Sequence, residues 1–293
     1  MRVLVTGANG QLGLELCPLL EGAGHTVIRT DVGVRSGKAV PTWEPLDITN
    51  MEQVRQTLLT HQPDAIIHGA AYTDVDGCER NPELAHKVNH LGTWNLATFA
   101  GERDILFTYV STDFVFDGTK RTPYTEEDIP NPISLYGVSK LAGERRVAQL
   151  CRRHFVVRTA WLFGVEGANF PRRILELAQT RKELKIVADQ VGSPTHVPDL
   201  ARKLVAFQNS PLYGTYHVSN NGSCSWYEFA KRTLERTGIT GITLHPILSK
   251  DWTSPAKRPT YSVLRNFNLE LQGCDDLPSW ETALDLFLER LKA

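Results

Sequence analysis

No apolar run in this 293-residue chain approaches the roughly 20 residues a bilayer-spanning helix needs. The N-terminus opens directly on the strand-like Arg2-Val3-Leu4-Val5-Thr6. An excess of either charge is missing too. Lys and Arg number 32 against 33 Asp and Glu, a formal net charge of −1, so no bulk field recruits nucleic acid or a membrane, and any anion site must be local. Cysteine is scarce: the five thiols (Cys17, Cys78, Cys151, Cys224, Cys274) are odd in number and widely spaced. With no CxxC or Cys/His ligand pattern among them, they read as reduced core thiols, and no metal is expected in a catalytic centre. Internal repeats and low-complexity tracts are also absent. These absences leave a cytoplasmic globular protein that meets small molecules, with neither nucleic acid nor membrane as partner.

Its organisation is that of an α/β protein. Strand-like runs at Arg2–Thr6, Thr26–Thr30, Asp64–His68, Ile105–Val110 and Phe155–Thr159 alternate with helical patterns, which predicts a Rossmann-type doubly wound parallel sheet. The first strand runs into Thr6-Gly7-Ala8-Asn9-Gly10-Gln11-Leu12-Gly13 and then a helix with Leu16, Leu19 and Leu20 on one face. Glycines at this spacing make a tight turn whose backbone N–H groups, with the helix N-terminus, can hold a pyrophosphate. The spacing is GxxGxxG instead of GxGxxG, so strand-turn-helix context carries the assignment.

Asp31 ends the second strand about 20 residues beyond the glycines, where an acidic residue meets an adenosine ribose; a plain turn carboxylate is the alternative. The ribose reading favours NADH over NADPH, while Arg29 and Arg35 flank it and either could accept a 2′-phosphate, so both cofactors stay open. Asp47 and Ile48 precede a helix with a Thr49-x-x-Glu52 capping box and could border the adenine. Gly69-Ala70-Ala71-Tyr72-Thr73 follows the next strand, and its small residues would let a cofactor lie close to the backbone. One long helix is expected from Pro82 to Gly101, with Asn89 inside it. The strand after it ends in Ser111-Thr112-Asp113, whose hydroxyls can reach a ligand crevice, although a Ser/Thr turn would look the same.

Leu135-Tyr136-Gly137-Val138-Ser139-Lys140 reads as a helix start with a phenol and an ammonium on one face, at i and i+4. An adjacent cation favours phenolate, so Lys140 is expected to lower the Tyr136 pKa and make the pair a general acid/base. A half-buried aromatic beside a solvated lysine would give the same letters. The arginines that follow (Arg145, Arg146, Arg152, Arg153) read as a solvated face. After Trp161-Leu162-Phe163-Gly164 the alternation loosens, Asn169-Phe170 opens a helix, and Ser225-x-x-Glu228 caps another. The expected division is 1–160 for dinucleotide binding, with later segments able to return to it, and 161–293 mainly for a substrate-binding lobe.

The motifs TGANGQLG, AAYTDVDGCE, STDFVFDG, PYTEED, YGVSKLAGE, RTAWLFG and DQVGSPT resemble the extended short-chain dehydrogenases/reductases, and within them the dTDP-4-dehydrorhamnose reductases, over most of the chain. The resemblance implies reduction of the C4 ketone of a dTDP-4-keto-6-deoxy sugar by NADH or NADPH. Gly10, Gln11, Leu12, Asp31, Asp47, Ile48, Ala71, Tyr72 and Thr73 would line the dinucleotide, and Thr112, Asp113 and Trp161 the sugar. Tyr136 would be the acid, Lys140 would also hold the nicotinamide ribose, and Arg258 in Lys257-Arg258-Pro259-Thr260-Tyr261-Ser262 would suit a sugar diphosphate, with a solvated loop charge as the alternative. Magnesium enters by family analogy only. Phe114 stands where the family usually has tyrosine, and Gly77-Cys78 interrupts a commonly more charged segment. A nucleotide-sugar epimerase or dehydratase uses the same Tyr/Lys pair with retained NAD. A non-catalytic dinucleotide-binding module, like the methionine adenosyltransferase regulatory subunit, is the rival of another class. The oligomeric state stays open, a homodimer included.

Overall fold

A computed structural model describes residues 1–33 and 42–292. Its centre is a seven-stranded, wholly parallel sheet of β1 (Arg2–Thr6), β2 (Thr26–Asp31), β3 (Glu44–Pro45), β4 (Ala65–His68), β5 (Leu106–Thr112), β6 (His154–Thr159) and a last strand, Gly214–His217. The spatial order is Gly214–His217, β6, β5, β4, β1, β2, β3. Chain direction across the sheet therefore reverses between β1 and β4, and a ligand crevice opens at the C-terminal ends of strands at such a reversal. The fold is the expected doubly wound one. All four residues of β4 and six of the seven in β5 are buried, as strands covered on both faces require.

One face of the sheet carries α1 (Gln11–Gly22); the other carries α2 (Met51–His61), which packs Val54 and Leu58 against Ile66 and Phe107. Next come α3 (Val75–Arg80) and α4 (Pro82–Ala85), a π-helical stretch at His86–Gly92, and α5 (Thr93–Glu102). The single helix expected over 82–101 is thus interrupted. The π turn displaces the register where Asn89 is needed for a side-chain contact described below, a common use of such bulges. The α2 cap also differs from expectation: Asn50, not Thr49, is the N-cap and accepts from the Glu52 and Gln53 N–H groups. Thr49 instead donates to Asp47 Oδ1, because the shorter Asx loop captures it first.

Beyond α6 (Leu135–Leu150) the chain both adds to the central sheet and builds a further hydrophobic cluster. Between α7 (Phe170–Thr180) and α9 (Trp226–Thr237), helix α8 (Val197–Phe207) returns to pack Leu200 and Leu204 on the face that holds Leu16 and Leu20 of α1, and Gly214–His217 pairs with β6. A separate aromatic cluster joins Phe163, Phe229, Trp280 and Phe287. Asn169 caps α7, and Ser225 with Glu228 forms the capping box of α9, both as read from the sequence. Among the described residues no helix is long and apolar enough to cross a membrane, and all five cysteines are free, Cys274 being partly exposed.

Candidate active site

A cavity of about 1060 Å³ lies at the C-terminal edge of β1, β4 and β5. The residues assigned from the sequence to the dinucleotide, the sugar and the chemistry line it, from Gly7, Gly10, Gln11, Leu12 and Gly13 through Asp31, Asp47, Ile48, Ala70, Ala71, Tyr72 and Thr73 to Thr112, Asp113, Tyr136, Lys140, Trp161 and Arg258. Arg29 pairs with Glu21 of α1 at 2.8 Å and is not among the lining residues, and Arg35 lies outside the described residues.

The glycine turn is tight for identifiable reasons. Gly7 has φ +73°, and a Cβ on it would meet the Ala70 nitrogen at 2.8 Å. On Gly13 a Cβ would sit 2.5 Å from Ala8 backbone atoms. Backbone therefore approaches backbone where side chains are excluded, leaving a concave cradle at the start of α1. Asp31 braces that cradle: Oδ2 accepts from the Asn9 N–H at 2.9 Å and Oδ1 from Val32 N–H at 2.7 Å. Gln11 Nε2, buried at the first position of α1, has no hydrogen-bond partner among the described residues. An orphaned donor beside helix-terminal N–H groups suits an anionic ligand, so the residues present fit a dinucleotide pyrophosphate.

The middle of the cavity is held by side chains that the sequence did not assign. Asn89, placed by the π turn, accepts from Tyr72 N–H at 2.8 Å while its amide donates to Tyr72 O and Ser139 Oγ. It thereby ties the Ala70–Thr73 loop to α6. His68 bridges Thr6 Oγ1 and Thr93 Oγ1 at 2.7 and 3.0 Å, and burial pushes its pKa down to about 3, so it is neutral.

At the chemical end, Ser134 caps α6 and puts Tyr136 in the first turn. Gly137 allows close approach: its Cβ would lie 2.1 Å from Phe114 O. Tyr136 consequently meets the end of β5, with Thr112 lining the same cavity and the Phe114 ring edge-to-face at 5.6 Å. The expected depression of the Tyr136 pKa is not what this state shows. Burial raises it well above the usual value, only partly offset by Thr112. Lys140 does not reverse this, because its Nζ donates to Val110 O at 2.8 Å and rests over the Tyr109 ring at 4.1 Å. Burial also lowers the Lys140 pKa to about 7, against the opposing pull of Glu144.

Asp113 is buried beside Thr112. Its Oδ1 accepts from Thr112 and its Oδ2 from Ser262 Oγ at 2.6 Å, while burial holds its pKa up at about 6. Arg258 reaches the cavity from the same late loop as Ser262, and its guanidinium is 3.1 Å from Asp76 Oδ1 and also bonded to Ser254 Oγ. Trp161 has φ +46°, unusual for a side chain of its size. Its indole stacks on Trp226, centroids 3.4 Å apart and planes within 7°, and leaves no room for a Cβ on Gly192. Trp226, Asp76, Ser254 and Ser262 had no signal in local spacing; only the capping box at Ser225 pointed near Trp226.

Comparison with known proteins agrees along the whole chain. The family described as RmlD substrate binding domain matches residues 1–293. A dTDP-4-dehydrorhamnose reductase of Sinorhizobium fredii is 38% identical over 292 residues, covering 96% of this chain and 94% of its own. The crystal structure of a dTDP-4-dehydrorhamnose reductase from Clostridium acetobutylicum superposes with a TM-score of 0.93 at 42% identity, covering 100% of both chains. One from Bacillus anthracis in complex with NADP gives 0.90 at 39% identity, covering 99% of both.

Proposed function

The chain belongs to the RmlD substrate binding domain family, and from that premise we propose that it reduces the C4 ketone of dTDP-4-dehydrorhamnose to give dTDP-L-rhamnose, using NADPH or NADH. The observation that carries this reading is the meeting of Tyr136, Thr112 and Lys140 in the same cavity as the glycine cradle. A bound nicotinamide dinucleotide supplies the hydride to the C4 carbonyl carbon. The cradle around Gly7, Gly10 and Gly13, with the Gln11 amide, takes the pyrophosphate, and Asp31 takes the adenosine ribose. Asp47 and Ile48 border the adenine, and Leu12, Ala70, Ala71, Tyr72 and Thr73 line the remainder of the path.

The Tyr136 hydroxyl gives its proton to the C4 oxygen. Its high proton affinity in the buried state suits a group that must stay protonated until the ketone oxygen gains charge. Thr112 turns its hydroxyl from Asp113 to that oxygen and stabilises the developing negative charge. Lys140 holds the nicotinamide ribose and, once its ammonium faces the reacting groups, favours the phenolate left on Tyr136. Trp161 and Asp113 bound the sugar, and Arg258 meets the diphosphate. Residues 161–293 contribute most of this substrate side, with α8 and Gly214–His217 serving the dinucleotide-binding body. A cytoplasmic location goes with a freely diffusing nucleotide sugar and dinucleotide.

The test offers the purified protein a panel of 4-keto nucleotide sugars and follows NAD(P)H absorbance. Stoichiometric consumption with dTDP-4-dehydrorhamnose supports the reading. Turnover of a nucleotide sugar without net consumption would mark an epimerase or dehydratase, and binding of dinucleotide without turnover a binding module.

A further inference from the structure

The proton donor proposed above depends on an ammonium that is buried and held by few groups. Lys140 Nζ has one hydrogen-bonded partner among the described residues, the Val110 carbonyl. Its other close contact is the face of Tyr109, 4.1 Å from nitrogen to ring centroid. Tyr109 is fully buried on β5, three residues before Thr112, and is not among the residues lining the cavity. Its hydroxyl does not explain its presence. The two acceptors it reaches, Asn89 O and Lys140 O, are both 3.4 Å away, long for an O–H donor. Room for it is nonetheless made in α6, where a Cβ on Gly143 would come within 2.5 Å of Tyr109 Oη.

We propose that Tyr109 is a positioning residue for Lys140: its ring face holds the ammonium at the end of β5 and keeps it charged. A cation over an aromatic face is attracted by the ring quadrupole, most strongly where water is excluded. The other groups packed around the ammonium are engaged elsewhere or neutral. On α6, Glu144 is an opposite charge, but it is already engaged by Arg158 at 2.8 Å and by Ser111. Tyr136, also on α6, is a neutral phenol in this state. From β4, His68 is neutral and packs behind Tyr109, with ring centroids 5.4 Å apart. The Tyr109 face therefore opposes the desolvation of Lys140 alongside the Val110 carbonyl and the pull of Glu144.

The inference rests on the reductase reading for its catalytic meaning, but its physical content can be tested without turnover. Position 109 is occupied in turn by Phe, 3,5-difluorophenylalanine and 3,4,5-trifluorophenylalanine, which keep the ring shape and progressively remove its negative face. The Lys140 amine is titrated by ¹⁵N NMR, its signal assigned by loss in Lys140→Met. The titration midpoint should fall along the series, with a total change of about threefold to thirtyfold in the protonation equilibrium. In the reductase assay the high-pH limb of kcat should move down in step, and Tyr109→Phe should recover most of the rate that Tyr109→Leu loses. An unchanged midpoint and limb across the fluorinated series, at unchanged melting temperature, would overturn the proposal, because a merely space-filling ring would behave that way. A wild-type protein that reduced no 4-keto sugar would defeat the reductase reading, while the amine titration would still decide the ring contact.

Discussion

Arg258 and Asp76 are joined across the cavity rim, guanidinium to carboxylate at 3.1 Å, linking a late loop of the chain to α3. Partial burial alone would raise the Asp76 pKa, yet hydrogen bonds from Arg258, Ser254 and the Ala256 N–H hold it down to about 2. The pair fixes where the guanidinium can go. Arg258→Ala is expected to raise the sugar KM by about 10- to 100-fold, the worth of a charge-assisted contact, with dinucleotide affinity unchanged. Asp76→Asn should raise the same KM by a smaller factor and leave kcat near the wild-type value. Initial-rate kinetics with both substrates varied would check this, and loss of dinucleotide binding in Arg258→Ala would remove that residue from the sugar site.

Tyr136→Phe keeps the ring that packs edge-to-face on Phe114 but removes the proton. A general acid is worth about 10²–10⁴-fold, so kcat should fall by that order while dinucleotide affinity changes little. A near wild-type rate in this variant would mean that another group delivers the proton.

Lys140→Met should differ by weakening chemistry and dinucleotide binding together. Residual oxidation in the reverse direction should shift to higher pH, since the phenol would ionise without an ammonium nearby. An unchanged pH optimum, read from kcat profiles of the reverse reaction, would show that Lys140 does not tune Tyr136.

Asp31 both braces the glycine turn and faces the proposed ribose site, so Asp31→Ala has two expected effects. The ratio of NADH to NADPH efficiency should fall, and affinity for both should weaken as the Asn9 N–H loses its carboxylate. Steady-state kinetics with each dinucleotide would measure the ratio, and a wild-type preference for NADPH of about tenfold or more would argue against a ribose contact through Asp31.

Asp113 makes stability depend on pH in a defined direction. Its folded pKa of about 6 lies above the ordinary 3.8, so the folded state binds the proton more tightly than the unfolded chain. Its contribution is greatest below pH 3.8, declines as pH rises towards 6, and is flat above that. Asp113→Asn should flatten this part of the stability curve. Denaturant unfolding at pH 5 and 7 would show the change, and identical slopes in both proteins would contradict it.

The sequence alone determined the sheet and the two ends of the site. Apolar β-branched runs alternating with helical patterns read as buried strands, so Gly7, Gly13, Asp31 and Thr112 could be nominated from their position at strand ends. The Tyr136–Lys140 spacing placed both on one helical face. What that face meets was decided only in three dimensions. Whether Lys140 touches Tyr136 or the Val110 carbonyl and Tyr109 ring depends on how α6 docks on β5 through Gly137 and Gly143, a close approach that no local pattern encodes. The Tyr136 pKa went up instead of down for the same reason, since desolvation is a property of the packed site. Asn89 acquired its hold on Tyr72 from a π turn in an otherwise ordinary helical pattern. Asp76 with Arg258, and Trp161 with Trp226, come from segments far apart in the chain, and such contacts follow from tertiary packing, whereas periodicity reports only each residue's own element.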